Sequence, residues 1–188
     1  AAIIYNPLVL LGMVVGIMFA FGGVGRKLPT MSMGGVVTFL FVFAGVMGVF
    51  MSAISLAYNP MIIAKIFFMT VAMFAGLSLF GYTTQRDLGT FAKYAFIAFG
   101  AFVAIILLGL FGPALARTGP LDIIINVVAL GAIAMITAWE TQMLKRVYYG
   151  LAGSGDVEMM NKYSAYGAAS LLLAFINMFQ ILLSLFGR

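Results

Sequence analysis

The sequence contains no cysteine and no histidine, and only 8% of its 188 residues are charged. Without cysteine there is no disulfide and no thiol nucleophile, and without histidine there is no imidazole base and no usual transition-metal ligand. Most catalytic constellations are therefore excluded. We expect no catalytic residues, no metal site and no cofactor, and we do not expect an enzyme.

Hydrophobic residues, in contrast, make up 64% of the chain. Such a chain has too little polar surface to cover a water-soluble fold, so its solvent must be lipid. Because the hydrocarbon core cannot satisfy backbone polar groups, spanning segments must be helices or a closed barrel. Apolar runs of roughly 20 residues select helices. The sequence therefore predicts an all-α, polytopic membrane helix bundle in which residues 1–188 form a single transmembrane domain.

Six spans are predicted, separated by short turns rich in glycine, proline and polar residues. Their approximate bounds are Ile3–Phe21, Gly34–Ala57, Met61–Gly81, Thr90–Phe111, Ile123–Tyr149 and Ser164–Phe186. Tyr58-Asn59-Pro60 is predicted to be a tight turn, because proline cannot continue the preceding helix. Gly112-Pro113 is expected to end the fourth span. Gly150–Asn161 is predicted to be the only substantial loop.

The basic residues predict the orientation of these spans. Seven of the ten lie on one side and three on the other, which places the larger set in the cytoplasm or matrix. The two sets are Arg26, Lys27, Arg86, Lys93, Lys145, Arg146 and Lys162, and Lys65, Arg117 and Arg188. Topology explains these scattered charges better than nucleic-acid binding does. Ala1 then begins on the outer face, and we expect a processed or incomplete start.

Pairs of small residues four apart predict close helix packing within the bundle. These pairs are Gly12 and Gly16, Ala44 and Gly48, Ala72 and Gly76, Ala134 and Ala138, and Ala165 and Ala169.

Only five carboxylates are present. Asp87 and Asp122 lie at predicted helix starts, where a carboxylate caps a free N–H and favours the helix dipole. Asp156 and Glu158 lie in the predicted loop, where solubility is a sufficient reason for them. Glu140 is different, because it directly follows an apolar run at a depth where an unpaired carboxylate is costly. It either is neutral or faces a wet cavity, with a titration near physiological pH, or is an interfacial acid paired with Lys145 or with a base on a neighbouring helix.

Two further polar residues lie within the last span. Asn177 and Gln180 are three residues apart on one helical face. They either line a cavity or form hydrogen bonds between helices.

The sequence resembles the Bax inhibitor-1 family, also called the transmembrane Bax inhibitor motif proteins, and especially its bacterial members. The resemblance covers essentially the whole chain and is carried by an ordered set of motifs. They are Ala64–Phe68, Gly81–Leu88, Ala138–Gln142, and Phe175–Asn177 with Leu185–Gly187. It implies a seven-span fold of which this chain lacks the first helix.

The resemblance also implies a leak or channel for cations, calcium in particular, gated by a proton shared between two acids. The first acid falls at Glu140, where the family usually has Asp, and the second falls at Ala174, which has no carboxylate. Glu140, Ala174 and Asn177 are therefore the candidate residues for the ion pathway or for pH sensing. One acid cannot share a proton with an absent partner. A single glutamate is also a poor calcium site, because calcium prefers six to eight oxygens.

Two functions stay open at this point. The first is a family-type, pH-sensitive cation leak that is altered or silent and binds calcium weakly at most. The second is a non-transporting structural or regulatory subunit that packs against other membrane-protein subunits. An intramembrane protease is rejected, because no catalytic dyad is evident. The bilayer is a partner in either case, and we expect a bacterial inner (cytoplasmic) membrane, with the mitochondrial inner membrane as the alternative.

Overall fold

The computed structural model describes residues 16–17, 20–109 and 120–187, and within these ranges the chain forms helices and turns without a strand. Helical residues 20–27 lead into a short 3-10 helix at Leu28–Thr30. Five α-helices follow, which are α1 Met33–Ala57, α2 Pro60–Thr83, α3 Gly89–Gly109, α4 Pro120–Ser154 and α5 Val157–Phe186. The predicted all-α class is confirmed.

The helices have the length and the surface of membrane spans. Helices α2 to α5 are each long and apolar enough to cross a bilayer, and α1 has a shorter apolar segment at Met33–Val49. Large apolar side chains such as Phe41, Phe68 and Ile97 are about 70% exposed. Lipid is the solvent that makes such a surface stable. The chain is therefore a multi-pass helical membrane bundle.

Several predictions fall on the undescribed parts of the chain. The first predicted span, Ile3–Phe21, lies mostly outside the described residues. Gly112-Pro113, Arg117 and Arg188 also lie outside them.

The turn between α1 and α2 agrees with the sequence prediction. Pro60 is the first residue of α2, where its missing N–H costs nothing. The Asn59 side chain accepts a hydrogen bond from the Met61 backbone N–H at 2.9 Å and so caps the helix.

The prediction of a loop at Gly150–Asn161 is wrong. Helix α4 continues to Ser154, and α5 begins at Val157. Gly155 reverses the chain with a φ of 73°, a conformation that glycine adopts without a steric penalty. Asp156 then caps α5 by accepting a hydrogen bond from the Met159 N–H at 2.9 Å. Gly155 and Asp156 are enough to end one helix and begin the next. The glycine and serine residues at 150–154 therefore stay helical although their helix propensity is weak.

Glu158 also has a more specific role than solubility. It lies in the first turn of α5 and forms a 2.7 Å ion pair with Lys162, one turn further along the helix. The Lys162 side chain is only 8% exposed, so this carboxylate balances a charge that the bundle has largely removed from water.

Helices α4 and α5 form the centre of the bundle, and α1, α2 and α3 pack around them. The main apolar cluster joins residues of α2, α3, α4 and α5, including Ile66, Phe102, Ile133, Ala174 and Met178. Short links join α2 to α3 and α4 to α5, and Gly81 and Leu88 contact Ala138 and Gln142 of α4. Helices α2 and α4 therefore end at the same end of the bundle, where α3 and α5 begin. We call this the basic end, because Arg86, Lys93, Lys145, Arg146 and Lys162 all lie there.

The small-residue pairs pack on the central helices and not on the outer ones. Ala138 and Ala169 are buried, at 1% and 0% exposure. Gly48 and Gly76, in contrast, have no atom of the described residues within 4 Å of where a side chain would begin. The prediction of close packing is therefore wrong for the pair on α2, where Ala72 and Gly76 are both exposed, whereas on α1 Gly48 is exposed and Ala44 is half-buried. Gly12 lies outside the described residues.

Candidate functional site

Two of the sequence motifs meet at the basic end of the bundle. Gly81, in the last turn of α2, lies against the backbone of Ala138 on α4, and a side chain at Gly81 would collide with the Ala138 carbonyl group. Glycine is thus required here for the close approach of two backbones. This contact fixes α2 against α4 at the level where the Ala138–Gln142 motif begins.

The Gln142 side chain joins α4 to the link between α2 and α3. Its Oε1 accepts a hydrogen bond from the Leu88 backbone N–H at 3.1 Å, and its Nε2 donates to the Arg86 carbonyl at 2.7 Å. A longer contact of 3.5 Å reaches the Thr84 carbonyl. Gln142 is 4% exposed, so these bonds are shielded from water. We call this arrangement the Gln142 clamp.

Exposed side chains reinforce the Gln142 clamp from outside. The Arg146 guanidinium donates to an Asp87 carboxylate oxygen at 2.8 Å. This hydrogen bond, and a weaker one from the Gly89 backbone N–H, lower the pKa of Asp87 below its ordinary value. At 3.4 Å the bond from Gly89 is long for a helix cap. Asp87 therefore acts mainly as the partner of Arg146, and less as the helix cap that the sequence suggested.

Asp122 lies within the first turn of α4 and is buried at 3% exposure. Its carboxylate accepts a hydrogen bond from the Asn126 side chain at 3.0 Å. The positive end of the helix dipole stabilises a carboxylate in the first turn, as the sequence predicted.

Glu140 lies on α4 two residues after Ala138. Its Oε2 atom is buried and has no hydrogen-bond partner within the part of the chain that the structure describes. Ser170 of α5 presents its hydroxyl group to the same carboxyl group, and Tyr166, one turn earlier on α5, lies close enough to interact with it electrostatically. Tyr166 itself donates a hydrogen bond to the Phe21 carbonyl at 3.2 Å.

Among the described residues no basic side chain forms an ion pair with Glu140, which argues against the alternative of a paired interfacial carboxylate. Lys145 directs its ammonium group to the Tyr82 carbonyl, at 2.7 Å, instead of to Glu140. The ion pairs found among the described helices and links join Arg146 to Asp87 and Lys162 to Glu158. Glu140 is thus a partly buried acid whose carboxyl group faces the Ser170 hydroxyl across the contact between α4 and α5.

Ala174 lies one turn beyond Ser170 on α5 and is 3% exposed. Its methyl group is part of the main apolar cluster, together with Ile133 and Ile136 of α4. An aspartate at this position would therefore lie one turn from the group that faces Glu140. Asp156 and Glu158 cannot replace it, because they begin α5 and Ala174 is roughly 25 Å further along the helix.

Asn177 and Gln180, the two polar residues that the sequence placed on one face of the last span, differ in burial. Asn177 is half-buried and Gln180 is exposed. Among the described residues no three acids approach one another as a metal-binding cluster would require. What the structure brings together is therefore Glu140, Ser170 and Tyr166, with Ala174 on the next turn.

Comparison with known proteins supports the resemblance of the motifs. The family model described as inhibitor of apoptosis-promoting Bax1 matches residues 1–188. The chain belongs to the Bax inhibitor-1 family. It is 36% identical over 155 residues to the inner membrane protein YbhL of Escherichia coli, an overlap of 82% of this chain and 64% of YbhL.

Two other bacterial proteins match this chain at a comparable identity and over a comparable length. An uncharacterized protein of Caulobacter vibrioides is 35% identical over 140 residues, which are 74% of this chain and 54% of that protein. YrjE of Lactococcus lactis is 36% identical over 145 residues, which are 77% of this chain and 58% of YrjE. The matched part of each relative is thus between one half and two thirds of its length. No solved structure matches the chain significantly.

The structure adds residues to the candidate site that sequence reasoning did not single out. Gln142 was part of a motif, but its partners are 54 and 56 residues away in the sequence. Ser170 and Tyr166 belong to a helix in which small and hydroxyl-bearing residues are common, so no local signal separates them. Only the packing of α4 on α5 identifies them.

Proposed function

We propose that this Bax inhibitor-1 family protein resides in a bacterial inner membrane and carries an altered or silent form of the family's pH-sensitive cation leak. The observation that supports this proposal is the apolar burial of Ala174. Glu140 faces Ser170 and Tyr166, and the next turn of α5 presents a methyl group where the family resemblance places a second carboxylate.

The consequence for ion passage is electrostatic. Two carboxyl groups close together share a proton and titrate as a pair, which couples their charge to pH. A lone buried glutamate has no such partner and offers a cation one carboxylate, whereas calcium takes six to eight oxygen ligands. Calcium therefore binds weakly at most, and the pathway lacks the coupled titration of a carboxyl pair.

Restoring the second acid tests this proposal. In proteoliposomes loaded with a calcium dye, Ala174→Asp is expected to raise the initial calcium flux by about tenfold, because an added carboxylate in this setting is worth more than about 1.4 kcal/mol to a bound cation. The flux of this variant is also expected to depend on pH, since the introduced carboxylate would lie one turn of α5 from Ser170, the residue whose hydroxyl group faces Glu140.

The control variant is Ala174→Asn, which introduces a side chain of the same shape as aspartate without its charge. It is expected to leave the flux at the level of the unchanged chain. Equal stimulation by the two substitutions would show that added polarity or loosened packing opens the bundle, and it would contradict the role given to the second carboxylate.

A second function is favoured by what the chain retains. The Gln142 clamp and the Asp87–Arg146 pair hold the motif residues in place although the second acid is absent. A scaffold kept intact without its ion-binding pair suits a structural or regulatory subunit of a larger membrane complex. Purification in mild detergent distinguishes the two, because a subunit is expected to migrate with other polypeptides at a mass well above its own 20.1 kDa.

A further inference from the structure

A groove opens at the basic end of the bundle, between the last turns of α4 and the first turns of α5. Its volume is about 460 Å³, and one side of it is open. This volume is within the usual range of small-molecule pockets, roughly 300–1,000 Å³. The groove is separate from the Glu140 site, since neither Glu140 nor Ala174 lines it.

The polar part of the groove carries one cation and several phenol groups. Lys145 lines it with Tyr82, Tyr149 and Tyr163. The Lys145 ammonium donates to the Tyr82 carbonyl at 2.7 Å and lies 4.6 Å from the centre of the Tyr82 ring. The hydroxyl oxygens of Tyr82 and Tyr149 are 3.4 Å apart. An ammonium group has three donors, so this one bond leaves Lys145 able to bind an anion.

The acids near this end of the bundle are engaged elsewhere. None of the residues that line the groove is acidic. Asp87 is paired with Arg146, and Glu158 is paired with Lys162. Within the described residues Lys145 has no carboxylate partner, and the groove therefore presents a positive charge without a counterion.

The remaining lining of the groove is mostly apolar and lies on both sides of Lys145. Val147, Leu151 and Met160 lie toward the basic end, whereas Leu144 of α4 and Ala168 and Leu171 of α5 lie toward the middle of the bundle. Lys145 is near the end of the bundle where basic residues lie at the level of lipid headgroups. Because Leu144 packs against Gly167, Lys145 is level with the part of α5 just before Gly167, and Leu171 lies roughly 7 Å deeper along α5. A ligand that fills both parts has an anionic head near Lys145 and a hydrocarbon tail pointing toward the middle of the membrane.

We propose that this groove binds one anionic glycerophospholipid, with its phosphate held by Lys145 and the tyrosine hydroxyls and an acyl chain lying along Leu144, Ala168 and Leu171. A soluble anion fills only the polar part, and an apolar peptide leaves the Lys145 charge without a partner. A membrane lipid has both groups at the required depth, and basic residues at this level attract anionic lipids.

Native mass spectrometry of the delipidated chain in detergent tests this proposal. Titration with dioleoylphosphatidylglycerol is expected to give a complex with one retained lipid. Lys145→Gln and Ala168→Trp are each expected to weaken its binding by about tenfold, the first through the lost charge-assisted hydrogen bond and the second by filling the groove. Ala168→Trp leaves the bond between Lys145 and Tyr82 in place, so it tests the groove even where Lys145→Gln disturbs the fold.

Two matched controls accompany these variants. Lys93→Gln removes a basic residue at the same end of the bundle, and Ala101→Trp enlarges an exposed alanine on α3; neither residue lines the groove. Both are expected to bind the lipid as the unchanged chain does. Dioleoylphosphatidylcholine, which carries no net charge, is expected to bind more weakly than phosphatidylglycerol.

Several results would overturn the proposal. Equal lipid binding by all four variants would show that the retained lipid sits elsewhere. Loss of binding in Ala168→Trp alone would contradict the role of Lys145 as the headgroup ligand. Displacement of the lipid by millimolar inorganic phosphate would indicate a site for a soluble anion, and a doubled mass in place of the lipid complex would indicate that a second copy of the chain fills the groove.

Discussion

Gly81→Ala is expected to lower the thermal unfolding midpoint of the purified chain in detergent by about 10 °C, which corresponds to about 3 kcal/mol for a chain of this size. The added methyl group meets the carbonyl and Cα atoms of Ala138. These atoms belong to the backbone of α4, so no rotamer change can relieve the contact. The two helices must separate, and the apolar contacts between α2 and α4 are lost with them.

Gly76→Ala is the matched control for this prediction. Gly76 lies five residues earlier on the same helix and has nothing within 4 Å of the position of an added Cβ atom. Its replacement is expected to leave the midpoint unchanged or to raise it slightly, because alanine has the higher helix propensity, by about 1 kcal/mol. Equal destabilisation by the two changes would contradict the close approach of α2 and α4.

Gln142→Leu is expected to destabilise the bundle by about 2 kcal/mol and to free the link between α2 and α3. Leucine fills a similar volume but cannot accept the hydrogen bond from Leu88 or donate one to Arg86. The buried Leu88 N–H then has no partner. Faster hydrogen exchange of residues 84–88, together with faster tryptic cleavage after Arg86, is the measurement that reports this change.

The control for the Gln142 clamp is the same substitution at an exposed glutamine. Gln180→Leu lies on the lipid-facing surface of α5 and is expected to leave exchange in residues 84–88 unchanged. Gln142→Glu keeps the acceptor for Leu88 and loses the donor for Arg86, so we expect an intermediate exchange rate. An unchanged rate in Gln142→Leu would show that the hydrogen bonds do not hold this link.

Much of the fold was predictable because membrane spans carry strong local signals. Pro60 begins α2, and the polar residues after Gly81 separate α2 from α3, so the predicted bounds of α2 and the predicted start of α3 differ from the observed ones by at most two residues. The prediction for the junction of α4 and α5 was wrong because the glycine and serine residues at 150–155 have the composition of a loop. The fold extends both helices past the apolar segments and needs only Gly155 and Asp156 to reverse the chain.

The candidate site was only partly predictable. The position of Glu140 after an apolar run was visible in the sequence, because a carboxylate at that depth is unusual. Its neighbours were not visible, since Ser170 and Tyr166 approach it from another helix. The Gln142 clamp likewise depends on the packing of α4 against a link that is more than 50 residues distant in the sequence. Local patterns contain no information about such pairings.

The calcium flux of the unchanged chain, measured in proteoliposomes from pH 6 to pH 8 beside its Glu140→Gln variant, tests the central claim most directly. The absence of a carboxylate at position 174 predicts a slow flux that varies little with pH and is nearly the same in both proteins. A fast flux that changes steeply with pH and disappears in Glu140→Gln would contradict the claim, because it would show that Glu140 gates a working ion pathway alone.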